Sequence, residues 1–201
     1  MITLCMDTSS KYLALGLIKD DQLIEKVQES CWKKQSEELF SKLEMIMEKA
    51  NLQPEDIDQI VITKGPGSYT GVRIAMTVAK VFCAMKDLPL YTISTLQLYA
   101  GMNANCRVLL DARGGRAYTA VYDNAVLRGK ESVETAEELM PQISSDTVIV
   151  GDGHLVGRDD CWPDVCENFQ ILKNQWQKAE NVHLVVPGYL KTSESYMPRA
   201  K

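Results

Sequence analysis

The 201-residue sequence is poor in the residues that most often build a catalytic or metal site. Its two histidines, His154 and His183, are too far apart for a His-x-x-x-His motif, and its six cysteines include no C-x-x-C pair. A zinc site made of His154, Cys161 and Cys166 would have a spacing that matches no standard zinc motif. No glutamate pair and no cysteine–histidine combination stands out. The sequence therefore predicts no catalytic residues and no bound metal.

Positive charge and long apolar runs are also scarce. The net charge is −5, so the chain lacks the basic surface with which proteins usually bind nucleic acid. No apolar run approaches the ~18 residues of a membrane span, and the opening MITLCMD has no basic region followed by an apolar stretch. The scattered cysteines are typical of reduced, buried thiols. We therefore expect a cytoplasmic protein that does not contact membranes.

The apolar pattern shows one order of elements twice. In the first half, three strands precede an amphipathic helix capped at Ser36, and a fourth strand follows at 59–63. In the second half the same order occupies residues 106–110, 116–122, 126–133, 135–143 and 147–150. This order predicts an α/β fold with two ribonuclease-H-like lobes of the actin/Hsp70/sugar-kinase (ASKHA) type. The first lobe spans 1–104, the second, smaller lobe and C-terminal segment span 105–201, and residues 94–105 cross between them.

A glycine-rich stretch, KGPGSYTG at Lys64–Gly71, precedes the longest apolar helix. A P-loop that starts at Gly65 would need glycine at position 70 and lysine at position 71, but the chain has Thr70 and Gly71 there. A dinucleotide fingerprint would also need glycine at position 70. A nucleophile elbow centred on Ser68 would need glycine at position 66, where the chain has proline. Two interpretations stay open: a tight turn whose Ser68 or Thr70 caps the helix, or a helix start that binds an anion.

Further candidates for a nucleotide cleft lie in the turns that follow predicted strands. In actin-type lobes such turns meet phosphate, and an aspartate after the first strand orients a metal-bound water. The same residue types are also ordinary turn formers, so both interpretations remain. The degenerate nucleotide-loop positions are Asp7, Thr8, Ser9, Gly65, Gly67, Asp111, Arg113, Gly151 and Gly153.

The helix after the glycine-rich stretch is apolar nearly all round. The face that includes Ala75, Val78, Ala79, Phe82 and Met85 is predicted to pack on the lobe's own sheet. The opposite stripe is predicted to meet a second protein, unless neighbouring elements of the same lobe cover it. This predicted partner interface comprises Met45 of the preceding helix and Arg73, Met76, Thr77, Lys80, Val81 and Ala84.

Several motifs together resemble one bacterial family, the TsaB (YeaZ-like) proteins of the glycoprotease-like group. The resemblance covers most of the chain and is most specific at KGPGSYTGVRIAMTVAK, with further similarity at MDTSS, QSEELFSKLEMIM, STLQLYA, LLDARGGRAYTAVYD and VPGYLK. The chain departs from the family at Gln35 (usually His), Ala75 (usually Gly) and Arg116-Ala117 (usually Glu-Val). These departures bear on fine contacts at the partner surface and the cleft.

The resemblance implies a non-catalytic subunit that partners TsaD, the paralogue that transfers a threonylcarbamoyl group to the adenosine beside the tRNA anticodon. It also implies that the chain binds no cofactor tightly, with ATP and metal on the partner subunits. A small ATPase, TsaE, would join the complex, and the chain would contact tRNA only through that complex. Whether the chain forms a homodimer without its partner stays open. The glycine-rich stretch would be a relic that scaffolds its helix. The alternatives are an actin-type small-molecule kinase or ATPase, supported by Asp7, Asp111 and residues 151–153, and a peptidase, suggested only by the group's old name.

Overall fold

The computed structural model describes residues 1–31 and 33–190. The strands are β1 (Ile2–Asp7), β2 (Tyr12–Lys19), β3 (Gln22–Ser30), β4 (Gln59–Thr63), β5 (Leu90–Ile93), β6 (Cys106–Asp111), β7 (Arg116–Asp123), β8 (Val126–Thr135), β9 (Val148–Gly151) and β10 (Gln177–Lys178). The α-helices are α1 (Gln35–Lys49), α2 (Tyr69–Lys86), α3 (Thr95–Ala100), α4 (Ala136–Leu139) and α5 (Val165–Ile171). None of the helices in this part of the chain has the length and apolarity needed to cross a bilayer.

The first sheet is built around β1, which is buried along its whole length. It has the order β10-β5-β4-β1-β2-β3, with β1 antiparallel to β2 and parallel to β4. In the register of these pairings, Leu4 lies opposite Leu17 on one side and Ile60 on the other. Helices α1 and α2 cover one face, where their buried side chains join those of the strands in one apolar cluster.

The second sheet repeats this plan on a smaller scale. Its order is β8-β7-β6-β9, again with an antiparallel meander and one parallel neighbour for the first strand. Its helix, α4, has four residues and continues into a 3-10 turn at Met140–Gln142. The two ribonuclease-H-like lobes and the order of their elements confirm the fold class predicted from the sequence.

One apolar core runs through both lobes. Cys5 of the first sheet, Tyr99 of α3, Tyr122 of the second sheet and Phe169 of α5 belong to the same buried cluster. Helix α5 packs on β2 and β3, on the face of the first sheet away from α1 and α2. The lobes are therefore joined by continuous apolar packing.

The chain returns to the first lobe after α5. Strand β10 pairs with β5, with Gln177 opposite Thr92, and so adds an edge strand to the first sheet. Residues 182–190, which we call the C-terminal strap, then run along α2. The predicted division at residue 104 falls between α3 and β6, but both β10 and the strap lie on the first lobe.

Helix α1 begins two residues earlier than the sequence predicts. Ser36 was expected to be the N-cap, but the helix starts at Gln35 and Lys34 occupies the cap position. The reason is that Gln35 is buried and its side-chain amide donates a hydrogen bond to the carbonyl of Ser10, at 2.9 Å. This contact attaches the start of α1 to the turn between β1 and β2.

Candidate functional site

The glycine-rich stretch packs backbone against backbone on the turn that follows β1. The Ser68 N–H donates to the Ser9 carbonyl at 2.7 Å, and the Ser68 hydroxyl caps α2 by accepting from the Gly71 N–H. A Cβ added at Gly67 would lie 2.5 Å from the Ser9 carbonyl oxygen, and one at Gly71 would lie 2.1 Å from that of Thr8. The glycines therefore permit a close approach of two chain segments, which fills the space at this helix start.

The Thr8 side chain forms its hydrogen bonds with α2. Its buried hydroxyl donates to the Gly71 carbonyl at 2.6 Å and accepts from the Ala75 N–H at 3.1 Å, so it bridges the first turn of the helix. A hydroxyl with both hydrogen-bonding functions engaged by the protein has little left for a phosphate. The position therefore serves to fix α2 to the β1 turn.

Asp7 is fully buried and holds three elements together. Its Oδ1 accepts from the Ser9 N–H at 3.0 Å and from the Thr63 hydroxyl at 2.6 Å, and its Oδ2 accepts from the Tyr99 hydroxyl at 2.8 Å. Burial, followed by the charge of Asp7, raises the pKa of Tyr99 well above its ordinary value, so Tyr99 stays a donor. This network joins β1, β4 and α3 beneath the cleft.

Gly65 meets the C-terminal strap. It has φ +99°, and an added Cβ would lie 3.0 Å from the Gly188 carbonyl oxygen. The Gly188 N–H donates to the Lys64 carbonyl at 2.6 Å. The glycine-rich stretch therefore contacts the backbone of Gly188 on one side and the β1 turn on the other. Lys191, which ends the VPGYLK motif, lies outside the described residues.

The matching turns of the second lobe are also built on internal contacts. The Asp111 side chain accepts from the Arg113 N–H at 2.6 Å, and the Asp111 N–H donates to Asp152 Oδ2 at 2.7 Å. A Cβ at Gly151 would lie 2.1 Å from the carbonyl oxygen of Leu109, and one at Gly153 the same distance from that of Asp159. Burial raises the pKa of Asp152 above its ordinary value.

A tryptophan that no sequence motif indicates lies between the lobes. The ring of Trp162 is 5.1 Å from that of Tyr12 and 5.9 Å from that of Tyr99. The Lys11 ammonium lies 4.3 Å from the centroid of the Trp162 ring. Trp162 therefore packs against the turn between β1 and β2 and against α3.

The exposed face of α2 differs in part from the predicted stripe. Arg73, Thr77, Val81 and Ala84 are exposed, as the sequence predicts. Met76, which the helical spacing places beside them, is 4% exposed and packs in the first-lobe core. Met85, predicted to lie on the inner face, is 81% exposed.

Two more of the predicted interface positions are partly covered. Lys80 is half-buried because its ammonium donates to the carbonyls of His183 and Val185, at 2.8 and 3.1 Å. The strap thus covers one flank of the helix, which shifts the exposed face toward Val81 and Met85. Met45 of α1 is half-buried and packs against the first-lobe core.

The strap and α1 flank the exposed face of α2. Tyr189 stacks on Tyr69 with ring centroids 5.4 Å apart, and Arg73 Nε donates to the Tyr189 hydroxyl at 2.8 Å. On the other flank, a groove of about 410 Å³ lies between α1 and α2, and its lining includes Phe40, Ile74, Thr77 and Val78. Exposed apolar side chains occur on all three elements: Phe40, Val81, Met85, Leu184 and Val186.

Both histidines lie on the surface, His154 in the second lobe and His183 in the strap. Nδ1 of His154 is 2.7 Å from Asp160 Oδ1, and the hydrogen bond to Asp160 raises the pKa of His154. His183 lies in the strap, where its N–H donates to Asn181 Oδ1 at 2.8 Å. The zinc trio considered from the sequence does not form, because Cys166 is buried against the carbonyls of Leu15 and Val27.

Comparisons with known proteins agree on one group. The family model TsaD, described as tRNA N6-adenosine threonylcarbamoyltransferase, matches residues 27–182. The tRNA threonylcarbamoyladenosine biosynthesis protein TsaB of Escherichia coli (strain K12) is 30% identical over 179 residues, or 82% of this chain and 75% of that protein. The TsaB protein of Bacillus subtilis (strain 168) is 33% identical over 126 residues, which cover 61% of this chain and 55% of that protein.

A solved structure has the same fold over nearly its whole length. A Pseudomonas aeruginosa protein described as similar to the peptidase YeaZ superposes with a TM-score of 0.79 at 20% sequence identity. The superposition covers 94% of this chain and 99% of that one.

Proposed function

The chain belongs to the TsaB family of tRNA threonylcarbamoyladenosine biosynthesis proteins, and we propose that it serves this pathway as a non-catalytic partner and scaffold of the transferase subunit TsaD. Membership in the family gives the chain a role in forming threonylcarbamoyladenosine in tRNA. The finer proposal is that its contribution is a surface rather than a reaction. The observation that carries it is the exposed apolar face of α1, α2 and the strap.

The state of the cleft supports a non-catalytic role. Transfer of an acyl-type group to a nucleobase amine calls for a positioned base and for stabilisation of developing charge. Asp7 is sealed beneath the cleft with both oxygens accepting hydrogen bonds, and Thr8 is engaged by α2. Trp162 packs against Tyr99, the partner of Asp7, and against Lys11. This arrangement favours a cleft that has lost nucleotide binding, with ATP and metal on the partner subunits.

The exposed face supports a protein partner. Phe40, Val81 and Met85 are 62%, 54% and 81% exposed. Phe40 lines the groove between α1 and α2, and Val81 and Met85 lie further along α2. Large exposed apolar side chains beside a groove commonly mark a protein-binding surface. The strap fixes the far flank of α2 through Lys80 and Arg73, so the face is held ready for binding.

Further partners follow from the same proposal. With a net charge of −5, the chain is expected to meet tRNA only as part of a complex. The ATPase TsaE would join after TsaD is bound. The same apolar face would pair with a second copy of the chain when TsaD is absent, because either contact removes the same side chains from water.

A matched pair of substitutions tests the surface. Val81→Glu places a carboxylate in the proposed contact, whereas Val126→Glu places one at an equally exposed position of β8, 53% exposed. A carboxylate buried there without a partner costs several kcal/mol, and ~1.4 kcal/mol is tenfold in affinity. Val81→Glu should therefore weaken binding to TsaD about a hundredfold or more, while Val126→Glu leaves it unchanged. Equal binding by both folded variants would contradict the proposed surface.

A second measurement tests the absence of catalysis. The chain alone, incubated with threonylcarbamoyl-adenylate and tRNA, should form no modified adenosine, and it should not hydrolyse ATP. Product formed at the rate of the complete complex would overturn the non-catalytic role. Turnover of ATP by the pure chain would instead favour a small-molecule kinase or ATPase.

A further inference from the structure

Lys11 reaches from the first lobe to the second. It lies in the turn between β1 and β2, and its ammonium is 3.6 Å from Asp160 Oδ2 and 4.0 Å from Asp152 Oδ1. The same ammonium lies over the ring of Trp162, 4.3 Å from its centroid. A cation held by two carboxylates and an aromatic face is well matched in charge, because the ring face also attracts positive charge.

The groups around this ammonium resemble a metal site in their composition. One ligand atom from each of Asp152, His154 and Asp160 lies within 4.8 Å of the others. Asp152 is oriented by the Asp111 N–H, and His154 by Asp160. Carboxylates are ligands that suit divalent cations such as Mn²⁺, and imidazole is a common ligand of other divalent metals. Lys11 places a positive charge beside both carboxylates.

We propose that Lys11 is a built-in cation of the cleft, which neutralises Asp152 and Asp160 where a divalent ion would otherwise bind. The ammonium is covalently attached, so the position is occupied at all times and needs no exchangeable ion. An ammonium this close to both carboxylates repels a second cation placed between them. The Lys11 ion pairs therefore connect the two lobes in a way that does not depend on the metal concentration. This inference does not depend on the proposed partner.

The contacts of neighbouring residues keep the lysine in place. The Tyr12 ring packs on Trp162 at 5.1 Å, and the Tyr12 N–H donates to the Ser10 hydroxyl at 3.2 Å. The Ser10 carbonyl in turn accepts from Gln35 of α1. The backbone on both sides of Lys11 is therefore fixed to the first lobe, and the lysine side chain spans the gap to the second.

Removing the lysine charge tests the proposal, with Mn²⁺ as the probe. Binding would be measured by the loss of the free-ion electron paramagnetic resonance signal for the native chain, Lys11→Ala, Lys11→Gln and the exposed control Lys130→Ala. Both Lys11 variants should bind about one Mn²⁺ per chain at least about tenfold more tightly than the native chain or the control. Adding Asp160→Asn to Lys11→Ala should abolish this gain. Mn²⁺ should also raise the melting temperature of the Lys11 variants and leave that of the native chain unchanged.

Three results would overturn the proposal. Native chain that binds Mn²⁺ as tightly as the variants would show that Lys11 does not occupy the position. Folded Lys11 variants with no gain in affinity would show that the cluster is not a cation site. If Lys11→Ala does not fold, Lys11→Gln decides, because it keeps part of the stem over Trp162. Should neither fold in the absence of metal, failure of Mn²⁺ to restore folding would also reject the proposal.

Discussion

Replacing Asp7 with alanine should destabilise the chain strongly, and replacing it with asparagine should not. In Asp7→Ala the Thr63 hydroxyl and the Ser9 N–H lose their acceptor, while the Tyr99 hydroxyl keeps the Ser10 hydroxyl at 2.7 Å. Each buried polar group left without a partner costs ~1–3 kcal/mol. The alanine variant no longer has to bury the carboxylate charge of Asp7, and this gain offsets part of the loss. The expected loss in the free energy of unfolding is therefore about 2–4 kcal/mol.

Asp7→Asn keeps most of this network. The amide oxygen can accept from Thr63 and Ser9, and the amide nitrogen can donate to the Tyr99 hydroxyl, which then donates to Ser10. The expected loss is about 1 kcal/mol or less. We take an m-value of ~2 kcal/mol per molar for unfolding in urea. The urea concentration at the midpoint should then be lower by about 1–2 M in the alanine variant and by at most about 0.5 M in the asparagine variant.

The comparison of these two variants also separates structure from function. If the carboxylate only holds β1, β4 and α3 together, Asp7→Asn should support tRNA modification by the reconstituted complex at close to the native level. A loss of stability in Asp7→Asn equal to that in Asp7→Ala would refute the hydrogen-bonding argument. Loss of activity in a folded, normally associating Asp7→Asn variant would show that the cleft carboxylate still takes part in the reaction.

Two further predictions concern backbone packing and thiol reactivity. Gly71→Ala should lower the free energy of unfolding by about 2–3 kcal/mol in chemical denaturation, since the new Cβ would lie 2.1 Å from the Thr8 carbonyl oxygen. Gly114→Ala, with open space but φ +66°, should cost only ~1 kcal/mol, and equal losses would contradict the close approach. At pH 8 one thiol per native chain, the exposed Cys161, should react rapidly with an aromatic disulfide, because burial raises the pKa of Cys83 to about 11 and of Cys106 to about 12. Cys161→Ser should abolish that fast phase, and a second fast thiol would refute the assignment.

Local sequence patterns predicted the order of elements because each boundary has its own chemistry. Asp20 and Asp21 both adopt positive φ, 46° and 70°, in the turn between β2 and β3, and Ser68 caps α2. Helix α5 was not assigned, although Val165, Cys166, Phe169 and Leu172 are all buried and recur at helical spacing. That signal was available in the sequence.

The exposed face of α2 was only partly predictable. Met76 and Met85 are the same residue type on an apolar helix, and periodicity does not show which one faces the sheet. The strap determines which side of α2 stays exposed, because Lys80 binds carbonyls that lie 103 and 105 residues further along the chain. The cation cluster was missed for the same reason, since Lys11 and Asp160 meet only when the lobes are assembled. Contacts this distant in sequence leave no local pattern.

The strap has a consequence for synthesis of the chain. Residues 1–104 leave the ribosome before β10 and the strap have been made. Strand β10 completes the first sheet, and the strap covers the flank of α2 that carries Lys80. About 86 residues separate positions 104 and 190, so at ~5–20 residues per second the wait is about 4–17 s. Throughout that time an apolar helix has an uncovered flank. Chaperones that bind nascent chains should therefore contact α2 until translation has passed the strap.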